Sequence, residues 1–136
     1  MDRDDSLRRY GLHPAPADLD AIRVLLVEQI EREYDDEGDR DLMRLCCSQL
    51  FHAGELRDVL LIWEAKGSSF DAHCTIDAQL LCGAGLAETK AYLAAEGSDA
   101  AADALEWLTG CDEAGDFTRF TVERYARSEA SHYLPG

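Results

Sequence analysis

Positive charge is scarce in this sequence: 13 Lys and Arg stand against 28 Asp and Glu, a formal net charge of −15 at pH 7. Such a surface repels phosphate and so disfavours nucleic acid and anionic membranes as direct partners. Also missing is any apolar run near the ~20 residues that cross a bilayer. The strongest candidates, Val24-Leu25-Leu26-Val27 and Val59-Leu60-Leu61-Ile62-Trp63, are far too short. The start, Met1-Asp2-Arg3-Asp4-Asp5, is acidic where a signal peptide is basic and then apolar. The expected location is therefore the cytoplasm.

Strand signals are nearly absent, with no sustained alternation and no Asn-Gly or Asp-Gly hairpin turn. No CxxC occurs among Cys46, Cys47, Cys74, Cys82 and Cys111, and their number is odd, which argues against a disulfide framework. They read as small buried hydrophobes in a reducing cytosol. Cys46-Cys47 and His73-Cys74 match no zinc spacing. A calcium loop started at Asp35 puts Arg40 where the glycine belongs and Cys46 where the last carboxylate belongs. Gly83-Ala84-Gly85 lacks the Lys and the preceding strand of a phosphate loop. Cys47 and His52 are five apart and miss the helical i,i+4 pairing. No catalytic, metal-binding or cofactor-binding residue is assigned on this reading.

What is present is helical periodicity. At 136 residues and 46% hydrophobic content, one domain with a real core is expected. Residues 1–16, broken by Pro14 and Pro16, read as a flexible arm, and residues 129–136 as a tail. Between them, residues 17–128 predict about seven helices. The first carries Leu19, Ile22, Leu25, Leu26 and Ile30 on one face and stops near Gly38. The others are expected at about Arg40 to His52, Glu55 to Lys66, Phe70 to Cys82, Leu86 to Glu96, Asp99 to Thr109 and Asp116 to Ser128. Ser69 and Ser98 stand where helix caps belong. The fold class is all-α.

Ala53-Gly54, Ala84-Gly85 and Ala114-Gly115 recur near helix ends at a spacing of about 30 residues, the period of a stacked helical-hairpin array. An irregular bundle is the other arrangement with the same helices. Asp58 to Lys66, Ser69-Phe70-Asp71 and Gln79 to Leu86 resemble a group of uncharacterised helical-repeat proteins of GC-rich bacteria, over about residues 18–128. No Asn, two Lys against eleven Arg, and nineteen Ala suit such a genome. The architecture is also similar to ankyrin-like or HEAT-like arrays, without their motifs. The resemblance implies a toxin-immunity type of role, and it brings no site residue with it.

The acidic excess has a location. Residues 67–118 hold ten acidic side chains and one cation, Lys90. Asp99, Asp103 and Glu106 share a helical face that Trp107 flanks. The leading reading is a non-enzymatic acidic protein-binding module, an immunity or antitoxin-type neutraliser of a basic protein partner. Its expected contacts are Trp63, Asp99, Asp103, Glu106, Trp107, Asp112 and Glu113. The alternative is a small enzyme or ligand binder with a pocket at Asp77, His73 and Cys74. There Asp77 falls in an apolar stripe and calls for a partner such as Arg44. A third reading is self-association through helix faces.

Overall fold

Helix caps and breakers divide the chain much as its periodicity demands. A computed structural model describes residues 1–135 and contains, among them, eight α-helices, three short 3₁₀ turns and no strand. The fold is all-α. The helices are α1 (Arg3–Tyr10), α2 (Leu19–Tyr34), α3 (Arg40–Ala53), α4 (Val59–Lys66), α5 (Phe70–Thr75), α6 (Leu86–Glu96), α7 (Asp99–Glu113) and α8 (Val122–Tyr133). Oxygen-bearing side chains open five of them by accepting a backbone N–H of the first turn: Asp2 on α1, Asp39 on α3, Ser69 on α5, Ser98 on α7 and Thr121 on α8. Gly54 ends α3 in the left-handed region at φ 69°.

α3 lies at the centre. From Leu42 to Phe51 every residue except Arg44 is buried, so this helix is covered all round instead of along one stripe. Ile22, Leu26 and Ile30 of α2 pack into the same core as Leu42, Cys46 and Leu50 of α3, Val59 and Ile62 of α4, and Ala104 and Leu108 of α7. Consecutive helices pair as α2–α3, α4–α5 and α6–α7. The α6–α7 pair joins the rest of the fold by packing α7 on α4, whereas the two ends of the chain both return to α3. Gln49 donates to Ser6 Oγ (3.3 Å) and to the Gly11 carbonyl (2.9 Å). From the other end, Phe51 meets Tyr125 of α8 ring to ring at 5.2 Å.

Four local departures from the sequence reading have physical causes. The expected flexible arm forms α1 with a capping box between Asp2 and Asp5. Pro14 and Pro16 break only the segment after Gly11, and docking on α3 stabilises a helix too short to persist alone. Leu12 is buried with Leu45 and Tyr133, and the Arg3 guanidinium lies 4.9 Å from the Tyr133 ring centre. The expected tail belongs to α8, with Glu129 and Tyr133 buried. The helix expected over Phe70 to Cys82 stops at Thr75 and resumes as a 3₁₀ turn at Ala78–Leu81. There the Lys66 ammonium donates to the carbonyls of His73 and Ile76 (2.6 and 2.5 Å), satisfying groups that continued helix would have bonded. Finally, α7 runs through Gly110 to Glu113, and residues 114–119 are turns.

One half-buried histidine is held below its ordinary titration range. His52 places Nδ1 2.7 Å from the Ser48 carbonyl, its Nε2 is buried without a partner, and the His13 ring lies 4.4 Å away. Burial, reinforced by His13, pushes the His52 pKa below its ordinary value. Protonation therefore favours the unfolded chain. The stability His52 contributes is complete above its unfolded pKa of ~6.5 and is lost as pH falls through the lower folded value. Burial shifts His73 in the same direction. Unfolding free energy measured by urea titration is thus expected to fall as pH drops below ~6.5. His52→Gln is expected to flatten that slope to the share left by His73, and an unchanged slope would clear His52 as its source.

Candidate functional site

The site is built on α7. Ser98 caps it, and Ala101, Ala104 and Leu108 fix which face turns inward. That rotation leaves Asp99, Asp103 and Glu106 exposed on the opposite side. α4 packs against α7 and brings Trp63, half-buried, beside it. Between them runs an open groove of about 710 Å³ lined by Trp63, Asp103, Glu106, Trp107, Cys111 and Asp116, together with Gly110 and Ala114.

Trp107 is 39% exposed, yet it is braced from behind. The His73 ring meets it nearly edge-on at 4.8 Å and 72°, and the Lys66 ammonium lies 5.8 Å from its ring centre. Lys66 is only 4% exposed and fixed by its two carbonyl acceptors. Burial lowers the pKa of its ammonium. Burial, with Asp116 adding to it, raises that of the Cys111 thiol. Cys46 and Cys82 are pushed up to about 12 by burial, and Cys47 also rises for that reason. These four thiols stay protonated at neutral pH and are poor nucleophiles.

Of the seven residues expected to contact a partner, the groove brings together four: Trp63, Asp103, Glu106 and Trp107. Asp112 faces α6 instead and accepts from Lys90 at 2.9 Å. Asp99 opens α7 and Glu113 closes it; both are exposed and neither lines the groove. Sequence reasoning misses Asp116, Cys111 and Lys66. Asp116 reads as a helix start, and only the extension of α7 past Gly110 carries Cys111 into the groove. Nothing local in the sequence marks Lys66.

Asp77 does find Arg44, at 3.5 Å, and it accepts a shorter hydrogen bond (2.7 Å) from the Tyr125 hydroxyl. Its side chain is 47% exposed, however, because the break after α5 removes it from the apolar stripe. Cys74 is exposed, His73 is turned to Trp107, and none of the three described cavities is lined by Asp77, His73 or Cys74. A second groove, of about 480 Å³, has the opposite character: Arg119 and Arg124 line it with Gln79 and Tyr125. It meets the acidic groove at Asp116. Among the described residues no cluster of three or more His, Cys, Asp or Glu is placed to hold a metal ion, and no helix is long and apolar enough to cross a membrane.

Set beside family models, curated proteins and solved structures, the chain has no significant match in any of the three. The groove itself therefore carries the functional reading.

Proposed function

We propose that this chain is an acidic protein-binding module that captures a basic protein through the groove between α4 and α7. The observation that carries the reading is the convergence of both tryptophans of the chain with Asp103 and Glu106 in one groove, whose lining apart from Trp63 comes from the stretch where ten acidic residues meet one cation. Negative charge draws a cationic partner in from a distance, and the aromatic rings supply the buried contact area that holds it. Occlusion of the partner's own surface is the immunity or antitoxin-type form of this function. The charge pattern supports it.

The test is kinetic. A polybasic peptide of mixed Arg and Lys is mixed with this chain in a stopped-flow instrument, with tryptophan fluorescence as the readout. Raising salt from ~0.1 to ~1 M cuts the screening length from about 10 to about 3 Å, so the association rate is expected to drop at least about tenfold while dissociation changes little. An association rate indifferent to salt would overturn the steering mechanism.

A further inference from the structure

The groove also indicates which side chain enters it. We propose that its occupant is an arginine of the partner, stacked on the indoles of Trp63 and Trp107 and paired with the carboxylates around them; this rests on the reading of the partner as a basic protein. Asp103, Glu106 and Asp116 line the groove, and among the described residues none of them makes an ion pair, whereas Asp112 on the same helix is matched by Lys90. Three carboxylates left without a cation, next to aromatic faces, suit a ligand that is both cationic and flat.

Guanidinium meets both demands. It is planar and weakly hydrated, so it stacks on an indole, and its five N–H groups reach carboxylates at its rim. A lysine ammonium is a compact, strongly hydrated point charge that cannot stack while its donors are bonded in the ring plane. An apolar anchor would desolvate three carboxylates without compensation. Lys66 is the one cation already at the Trp107 ring, and its ammonium is held by the His73 and Ile76 carbonyls. It opposes an incoming charge, and the three carboxylates outweigh it. By bracing Trp107 together with His73, it also fixes the indole before binding, which lowers the ordering cost of capture. The groove's 710 Å³ exceeds what one side chain fills, so the residues flanking the arginine are seated too.

The chain has two tryptophans and both line the groove, so indole signals report on it alone. The experiment titrates the full chain with an acetylated peptide of alternating Arg and Ala, and separately with its Lys-for-Arg counterpart. It follows fluorescence and the indole N–H resonances by NMR. The Arg peptide is expected to bind about tenfold tighter than the Lys peptide and to shift both indole resonances. That preference is expected to vanish in D103N/E106Q, whose substitutions are isosteric and exposed, and to shrink in W107F. Equal affinity for the two peptides, or binding that leaves the indole resonances in place, would overturn the arginine site while leaving a basic partner intact. Failure to bind either peptide, with the natural partner still captured by W107F, would do the same. If no cationic peptide or protein binds at all, the basic-partner reading falls with it.

Discussion

Replacing Arg44 by Met is expected to destabilise the fold by about 3–5 kcal/mol, the cost of removing one member of a buried ion pair. In a domain of this size that lowers the melting temperature by roughly 10–20 °C. Arg44 is the one charged residue in the Leu42–Phe51 stretch of α3, whose other members are all buried. Its guanidinium donates to both oxygens of Glu129 (2.9 and 3.0 Å), to the Tyr133 hydroxyl (2.7 Å) and, more weakly, to Asp77 (3.5 Å). Its side chain is 14% exposed and that of Glu129 only 3%. Met matches the length of the alkyl stem, so the loss is electrostatic: a carboxylate stays buried with no cation, and the Tyr133 hydroxyl loses its donor.

A second variant separates that cause from a packing defect. If the penalty comes from the orphaned carboxylate, then R44M/E129M, which removes both charges, is expected to be clearly more stable than R44M, because replacing a whole buried pair with apolar groups is often near neutral. Urea denaturation of the four proteins in the cycle measures it. Additive losses would mean that Arg44 and Glu129 do not depend on each other. Because Glu129 and Tyr133 lie on α8, R44M is also expected to raise amide exchange there before it does so in α2.

The Arg44 network marks the boundary of what the residues disclose in order. Helix class, the inward face of α7 and the Ser69 and Ser98 caps follow from spacing of apolar residues and from local oxygen acceptors, both within a few positions of one another. The helical character of α1 and the burial of the end of α8 do not, because they depend on partners such as Gln49 and Arg44 that lie 38 to 85 positions away. The site divides along the same line. Asp103, Glu106 and Trp107 share one stretch of helix and are legible together. Asp112, one residue short of Glu113, turns to Lys90, 22 positions away, and Lys66 ends α5 by reaching carbonyls outside its own helix. Gly110 looks like a stop because glycine is a poor helix former, but the packing of Ala104 and Leu108 carries α7 through it.

Gly83→Ala is expected to cost about 3 kcal/mol or more, at the upper end of overpacking penalties, and to do so at a position that bears no side chain at all. A Cβ there would stand 2.2 Å from the Phe51 carbonyl oxygen and 3.0 Å from the Phe51 Cα and carbonyl carbon. These are backbone atoms in the last turn of α3, so no rotamer change relieves the overlap. Either the end of α3 or the turn after Ala78–Leu81 must shift by more than 1 Å to reach ordinary contact near 3.4 Å. The same junction explains why two of the Ala-Gly copies in the sequence lie where they do. Gly54 closes α3 directly against the Gly83 carbonyl, 3.4 Å from where its own Cβ would be, so the first copy abuts the residue just before the second. Gly110→Ala is the opposing control: it lies inside α7 with nothing within 4 Å of an added methyl, and is expected to stabilise by ~0.5–1 kcal/mol through helix propensity. Thermal melts followed by far-UV circular dichroism should therefore move in opposite directions for the two Gly→Ala changes. A Gly83→Ala protein that melts with the parent would show that the α3 end and the 82–85 turn are not in backbone contact in solution.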